Sequence, residues 1–215
     1  MSSLADKATL HTSDQIYDRQ IRLWGASAQT KIMSTKVLYL HPSPLMSEVM
    51  KNLVLAGLSG CLMSDRKLAT HDVQPMLFVD AGMVGSPVAE AMLPNVQELN
   101  PLATITSDTR SFDGVTADEF KEYNVIIADP THLDHASILK LNEFSRANNS
   151  QLFLASSFGF QSCAFIDLGE THEWKKEVGK GELGDVVVED FVTWSEAEAV
   201  DMKSLKNRFG EVPKR

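Results

Sequence analysis

Short apolar runs alternate with amphipathic stretches along most of the chain, and this alternation predicts an α/β fold. Residues 36–40 and 60–64 are apolar runs typical of buried strands. Between them, residues 46–56 carry apolar side chains at helical spacing, and Gly57 follows in the position of a C-cap. Strand, helix and strand in this order predict a βαβ unit with parallel strands and a right-handed crossover.

The same patterns continue downstream. They predict strands at residues 104–109, 124–128, 151–155 and 163–168, and helices at 87–99, 116–122 and 134–147. The last of these helices is expected to start at Asp134, and the first is expected to have Ser86 as N-cap and Pro87 as first residue. Pro94 is expected to kink or interrupt that first helix. We therefore predict a Rossmann-like, mostly parallel sheet with helices on both faces.

The turn after the first strand lacks the chemistry of a nucleotide-binding loop. Such loops use glycine so that backbone amides can approach a phosphate at a helix N-terminus. Here residues 41–45 read HPSPL, and Pro42 and Pro44 each lack an amide donor. Asp65 ends the second strand, where a carboxylate would hold a ribose, but without the phosphate loop we do not assign it that role. We expect this chain to bind no cofactor.

Residues 17–25, YDRQIRLWG, form the most distinctive stretch of the chain. A helix here places Arg19 and Arg22 near each other on one face, with Asp14 as a candidate N-cap. The apolar side chains of the stretch are expected to pack inward: Ile21, Leu23 and Trp24. On composition alone, the stretch is an amphipathic N-terminal helix with a solvated basic face.

As a string, YDRQIRLWG resembles the N-terminal signature of subunits that activate ubiquitin-like proteins, in the ThiF/MoeB adenylating family. Two later phrases are also similar to that family: VGSPVAEA followed by LNP within residues 84–101, and FGFQSCAFIDLG at 158–169. The second phrase and the THEW that follows at 171–174 resemble the non-catalytic (Aos-type) subunits of SUMO-activating enzymes more than their ubiquitin counterparts. Catalytic subunits carry a basic residue near 86–88, where this chain has none.

The resemblance implies a partial ThiF/MoeB-type fold that lacks the C-terminal half. It implies a non-catalytic subunit, inactive alone, that forms a heterodimer with a catalytic subunit and supports adenylation of a ubiquitin-like modifier, with SUMO favoured. Mg-ATP is then held by the catalytic partner, and Arg19 reaches out of this chain to contact its triphosphate. Arg22 and Trp24 are assigned to packing and to the subunit contact. The thioester cysteine belongs to the partner.

Composition shifts suggest four regions. Residues 1–13 are expected to be a mobile N-terminus, 14–168 a degenerate adenylation domain, and 169–185 a flexible charged insertion with four glycines. Residues 186–215 are expected to form a strand at 186–192 and a weak helix at 195–208.

The net charge of −9 and the pI of about 5.1 argue against a nucleic-acid partner. No apolar run approaches the ~18 residues of a membrane helix, so no membrane partner is expected. Cys61 and Cys163 form no CxxC pair and lack a neighbouring histidine. They fit a reducing compartment, and we expect nuclear and cytoplasmic localisation.

Several alternatives remain open at this point. His132 and His135 lie near Asp129 and Asp134, but their spacing is not that of a metal site, and a solvated loop is favoured. The chain also fits the inactive N-terminal half of a ubiquitin-activating enzyme or of the equivalent enzyme for another modifier. A stand-alone nucleotide-binding oxidoreductase fits the βαβ layout but not the HPSPL turn. A pure binding module differs from the favoured function only in whether Arg19 matters for catalysis.

Overall fold

The computed structural model describes residues 13–179 and 182–201. Within these ranges the elements are, in chain order, α1 (Ser13–Ile16), α2 (Asp18–Trp24), α3 (Ala26–Ser34), β1 (Lys36–Leu40), α4 (Pro44–Ala56), β2 (Ser59–Met63), α5 (Val88–Glu98), β3 (Ile105–Asp108), β4 (Val125–Ala128), α6 (His135–Ala147), β5 (Gln151–Phe158), β6 (Gln161–Asp167), β7 (His172–Gly179), β8 (Glu182–Glu189) and α7 (Trp194–Glu198). Single 3-10 turns lie in the connections at Thr70–Asp72, Ala81–Met83, Phe112–Gly114, Ala117–Phe120 and Pro130–His132.

Six strands form one sheet in the order β3-β2-β1-β4-β5-β6. The first five are parallel, and β6 runs antiparallel to β5. This strand order is that of dinucleotide-binding Rossmann folds, and it confirms the predicted α/β class. The last four residues of β1 are buried, as expected for a central strand that is covered on both faces.

Two apolar clusters lie on opposite faces of the sheet. One is built on α4 and α5 and includes Met50, Val54 and Met92. The other is built on α6 and the 3-10 turns and includes Leu141 and Phe120. Helical packing on both faces is therefore confirmed.

The start of α4 differs from the predicted one. Ser43 is the N-cap, and its Oγ accepts a hydrogen bond from the amide of Met46 at 3.4 Å. Pro44 occupies the first helical position, where its missing amide costs nothing, so the helix begins before Met46. At the other end, Gly57 adopts a left-handed conformation with φ of 110° and confirms the predicted C-cap.

In α5 the predicted cap is wrong by one residue. Pro87 is the N-cap of the helix rather than its first residue, and the helix has no side-chain cap bond from Ser86. Pro94 lies inside α5, which continues to Glu98, so the proline does not end the helix. The predicted start of α6 is confirmed, since Asp134 is its N-cap and the carboxylate accepts from the amide of Ser137 at 2.7 Å.

The C-terminal part contains more regular structure than the sequence predicted. The segment predicted as a flexible charged insertion, 169–185, contains all of β7, which pairs antiparallel with β8. Strand β8 also begins before the predicted start at residue 186. Cross-strand pairing of Trp174 with Val187 and of Glu173 with Val188 gives this hairpin contacts that a single-strand pattern does not reveal. The predicted mobile N-terminus, apart from Ser13, and residues 202–208 of the predicted helix 195–208 lie outside the described residues. Residues 195–198 of that predicted helix belong to α7.

None of the helices in the two described ranges combines the length and the apolar character that spanning a bilayer requires.

Candidate functional site

The carboxyl ends of β1, β2 and β4 meet at the place where a Rossmann fold binds its nucleotide. The loop of residues 41–45 leaves β1 here and leads into α4. Its backbone turns at His41, which has a positive φ of 51° and donates its amide to the Met63 carbonyl at 2.8 Å. His41, Pro42 and Ser43 are all buried. The loop is therefore packed into the protein and presents no row of free amides to a phosphate.

A salt bridge that the sequence did not predict closes this loop. Arg66, just after β2, donates from Nη2 to the Pro42 carbonyl at 3.3 Å and from Nη1 to the Asp72 carboxylate at 2.5 Å. The same Asp72 oxygen accepts from the Ala69 amide at 2.8 Å. Although burial alone would raise the pKa of the Asp72 carboxyl, its bonds to Arg66 and Ala69 lower the pKa overall. The Arg66 guanidinium thus bridges the Pro42 carbonyl of the loop and the buried Asp72 carboxylate.

These residues do not fit a nucleotide. Pro42 and Pro44 offer no amides, the Ser43 hydroxyl is used by the helix cap, and the one cation beside the loop, within the part of the chain that the structure describes, is already paired with Asp72. Asp65 is exposed just beyond β2, as the sequence suggested, but no phosphate-binding loop lies beside it.

His41 and His132 lie just beyond the carboxyl ends of β1 and β4. The Nδ1 atom of His41 is 3.1 Å from the Ser64 hydroxyl, and its ring centroid is 6.5 Å from that of His132. The Nε2 atom of His135 instead contacts the Glu198 carboxylate at 2.8 Å. Across the described ranges, no three His, Cys, Asp or Glu side chains are grouped so that they could hold a metal ion.

The environment of His41 predicts a pH dependence of stability. Burial lowers the pKa of its imidazole, and Arg66 and His132 act in the same direction, whereas Asp65 and Asp113 oppose them. The unfolded chain takes up this proton near pH 6.5, and the folded chain takes it up only at lower pH. The contribution to stability is therefore complete above about pH 6.5 and is lost as the pH falls through the folded-state pKa.

We accordingly expect the free energy of unfolding to decrease between about pH 7 and pH 5, and the His41→Gln variant to show a smaller decrease. Urea titrations at several pH values would measure it. The variant His135→Gln is the control, since that ring is exposed. Equal slopes for His41→Gln and the unmodified protein would contradict the account.

The second part of the site is the predicted arginine helix, which forms as α2. Tyr17 is its N-cap, and Asp14 lies within α1, so the prediction of Asp14 as N-cap is wrong. Arg22 pairs with Asp18 at 3.0 Å within the helix. Arg19 is exposed, and no hydrogen bond or ion pair within the described ranges engages its guanidinium.

The expectation that the apolar side chains of this helix pack inward is wrong. Leu23 is 77% exposed and Trp24 is 40% exposed, and α2 has no buried residue. The physical reason is that α2 is short and docks through polar contacts at its ends, so its own apolar side chains are not needed for the core. Arg19 is consequently flanked by exposed apolar surface.

Both cysteines occupy strands, as predicted. Cys61 is buried in β2, and burial raises the pKa of its thiol. Cys163 is exposed in β6, with Sγ 3.1 Å from the Ser156 hydroxyl. No disulfide joins them.

Three curated proteins show what this chain is similar to. SUMO-activating enzyme subunit 1 of Dictyostelium discoideum is 31% identical over 195 residues, which are 90% of this chain and 58% of that protein. The DNA damage tolerance protein rad31 of Schizosaccharomyces pombe is 35% identical over 71% of this chain and 50% of its own length. Human SUMO-activating enzyme subunit 1 is 33% identical over 76% of this chain and 47% of its own length.

The chain thus spans about half the length of the curated relatives it matches. No protein-family model matches it. In the relative from Dictyostelium, 195 residues align with the 215 residues of this chain. The chain is therefore a homologue of SUMO-activating enzyme subunit 1, within the family that its own motifs resemble.

Proposed function

We propose that this chain is the non-catalytic subunit of a heterodimeric enzyme that activates a ubiquitin-like modifier, with SUMO as the favoured modifier. Its catalytic partner binds Mg-ATP and adenylates the C-terminal carboxylate of the modifier. This chain supplies Arg19 in trans. The observation that carries the proposal is that Arg19 is exposed on α2, while the loop where a phosphate would bind is buried and has its Pro42 carbonyl bonded to Arg66.

The chemistry of a guanidinium suits this role. In adenylation, the modifier carboxylate attacks the α-phosphate, an acyl-phosphate bond forms, and pyrophosphate leaves with the electrons of the broken P–O bond. Negative charge on the phosphates is therefore rearranged in the transition state. Arginine remains ionised and offers forked donors to phosphate oxygens, so it can stabilise that charge without a change of protonation.

The two arginines of α2 differ in what they can offer a partner. Arg22 is engaged by Asp18, whereas Arg19 lacks such a partner within the described ranges. Exposed Leu23 and Trp24 supply apolar area beside Arg19, of the kind that protein interfaces bury. We assign Arg19 to the chemistry and the apolar side chains to the subunit contact. A nuclear and cytoplasmic location is part of the same proposal.

Reconstitution tests the proposal. The chain is tagged, purified from cells with its partner, and assayed for exchange of labelled pyrophosphate into ATP in the presence of SUMO or another modifier. We expect modifier-dependent exchange by the complex and none by this chain alone. Exchange by this chain without a partner would overturn the proposal, and exchange with ubiquitin but not SUMO would correct its choice of modifier.

A further inference from the structure

Helix α2 is held to the protein by its ends rather than by an apolar face. The last carbonyls of any α-helix have no partner within the helix and must be satisfied by other groups. In α4 these carbonyls point toward the N-terminal helices, and side chains from those helices and from the end of α5 engage them.

The first anchor holds the N-terminal end of α2. The side-chain amide of Asn100 donates to the Tyr17 hydroxyl at 2.8 Å and to the Val54 carbonyl of α4 at 2.7 Å. Tyr17 is 1% exposed. Its hydroxyl lies so close to Gly57 that a Cβ there would approach it to 2.9 Å. The N-cap of α2 is therefore fixed against the C-cap of α4.

The second anchor holds the C-terminal end of α2. The indole N–H of Trp24 donates to the Oε1 atom of Gln29 at 3.0 Å. Gln29 is buried, and its Nε2 donates to the Ala56 carbonyl of α4 at 2.9 Å. Between the anchors, Gln20 makes a longer contact of 3.5 Å with the Leu55 carbonyl. Three successive carbonyls of α4 thus accept hydrogen bonds: one from Gln20 of α2 itself, and two from Asn100 and Gln29, which in turn bond to Tyr17 and Trp24.

We propose that Tyr17 and Trp24 are positioning residues for Arg19, acting through Asn100 and Gln29 to fix α2 on the last turn of α4. This inference rests on the proposed function and names how the trans arginine is held. Arg19 lies between the two anchors, so loosening either one lets the helix tilt and moves the guanidinium. Displacement of a catalytic group by about 1 Å can lower a rate by as much as 10²-fold.

Variants that remove one polar group each test this inference in the reconstituted complex. Tyr17→Phe deletes the hydroxyl, Trp24→Phe deletes the indole N–H, and both keep an aromatic ring in place. We expect each to lower the rate of adenylate formation at saturating ATP, modifier and partner by about tenfold, with a larger loss in the double variant. Thr30→Val is the control, because it removes an exposed hydroxyl bond within α3.

The decisive comparison repeats both variants in an Arg19→Ala background. Residues that act through Arg19 should have no further effect once Arg19 is absent, which is the signature of coupled positions in a double-mutant cycle. Equal losses in both backgrounds would overturn the inference, since the anchors would then act through another group. Unchanged rates in the Arg19-containing complex would also overturn it, while leaving the role of Arg19 intact.

A normal rate for the single variant Arg19→Ala would overturn the proposed function itself, and the inference with it. Thermal unfolding of each purified chain identifies any variant that loses its fold.

Discussion

Replacing Arg19 by alanine should lower the rate of modifier adenylation by the assembled enzyme on the order of 10³-fold, as expected when an arginine supplied in trans is lost from a phosphoryl-group reaction. The affinity of the Arg19→Ala chain for the catalytic partner should change little, because the apolar side chains of α2 remain. The measurement is pyrophosphate exchange at saturating partner, with affinity measured separately by titration. Arg19→Lys should recover only part of the rate, since an ammonium lacks the forked donors.

Lys31→Ala is the matched control for the loss of one exposed positive charge. Lys31 lies on α3, its side chain is exposed, and we assign it no part in the site. A normal exchange rate in the Arg19→Ala complex would contradict the proposed catalytic role and leave the chain as a binding module. An equal loss in both variants would point to general electrostatics rather than to a specific contact.

The second large effect concerns stability. Asp167, at the end of β6, is 1% exposed, and it accepts bonds from Nε and Nη2 of Arg146 and from the Asn142 amide. Arg146 also donates to the Phe191 carbonyl. Arg146→Leu should lower the free energy of unfolding by about 3 kcal/mol, because it leaves the buried carboxylate without its charged partner. Chemical denaturation followed by circular dichroism measures the change.

Arg110 provides the comparison for that experiment. It pairs with two carboxylates, those of Asp108 and Glu119, and both pairs lie on the surface of the protein. Surface ion pairs contribute little because water and salt screen them. Arg110→Leu should therefore lower the free energy of unfolding much less than Arg146→Leu. Equal decreases would contradict the importance we give to burial.

Much of the fold could be predicted from the sequence because its signals are local. The apolar run of β1 and the helical spacing of α4 and α6 each lie within a few residues. Errors of one or two residues arose where proline and a cap compete, as at Ser43 and Pro87. The β7–β8 hairpin escaped prediction because its charged residues and glycines conceal the pairing between strands.

The candidate site was predictable only in part. The lack of glycines in the loop of residues 41–45 could be seen in a short motif, and the assignment of Arg19 stays a prediction from another. The bond from Arg66 to the Pro42 carbonyl could not, because it joins positions 24 residues apart and follows no periodicity. The same holds for the Tyr17–Asn100 bond, which spans 83 residues. The prediction that Leu23 and Trp24 pack inward was wrong, because amphipathicity does not show which side of a short helix is covered by the rest of the protein.

The contacts at the two ends of α4 differ from those of the same helix in a nucleotide-binding Rossmann fold. In a Rossmann fold, the N-terminus of this helix faces the phosphates. Here that end carries Ser43 and Pro44, and the buried loop before it is tied to Arg66. The C-terminal end of the same helix holds the arginine helix through Asn100 and Gln29. One helix therefore starts at a loop that lacks phosphate-binding amides and ends against the helix that carries Arg19.

A structure of the assembled complex with ATP and modifier tests the central claim most directly. We expect the Arg19 guanidinium within about 3 Å of phosphate oxygens of an ATP molecule held by the catalytic partner. A guanidinium that points away from the nucleotide, or ATP seated against residues 41–45 of this chain, would contradict it.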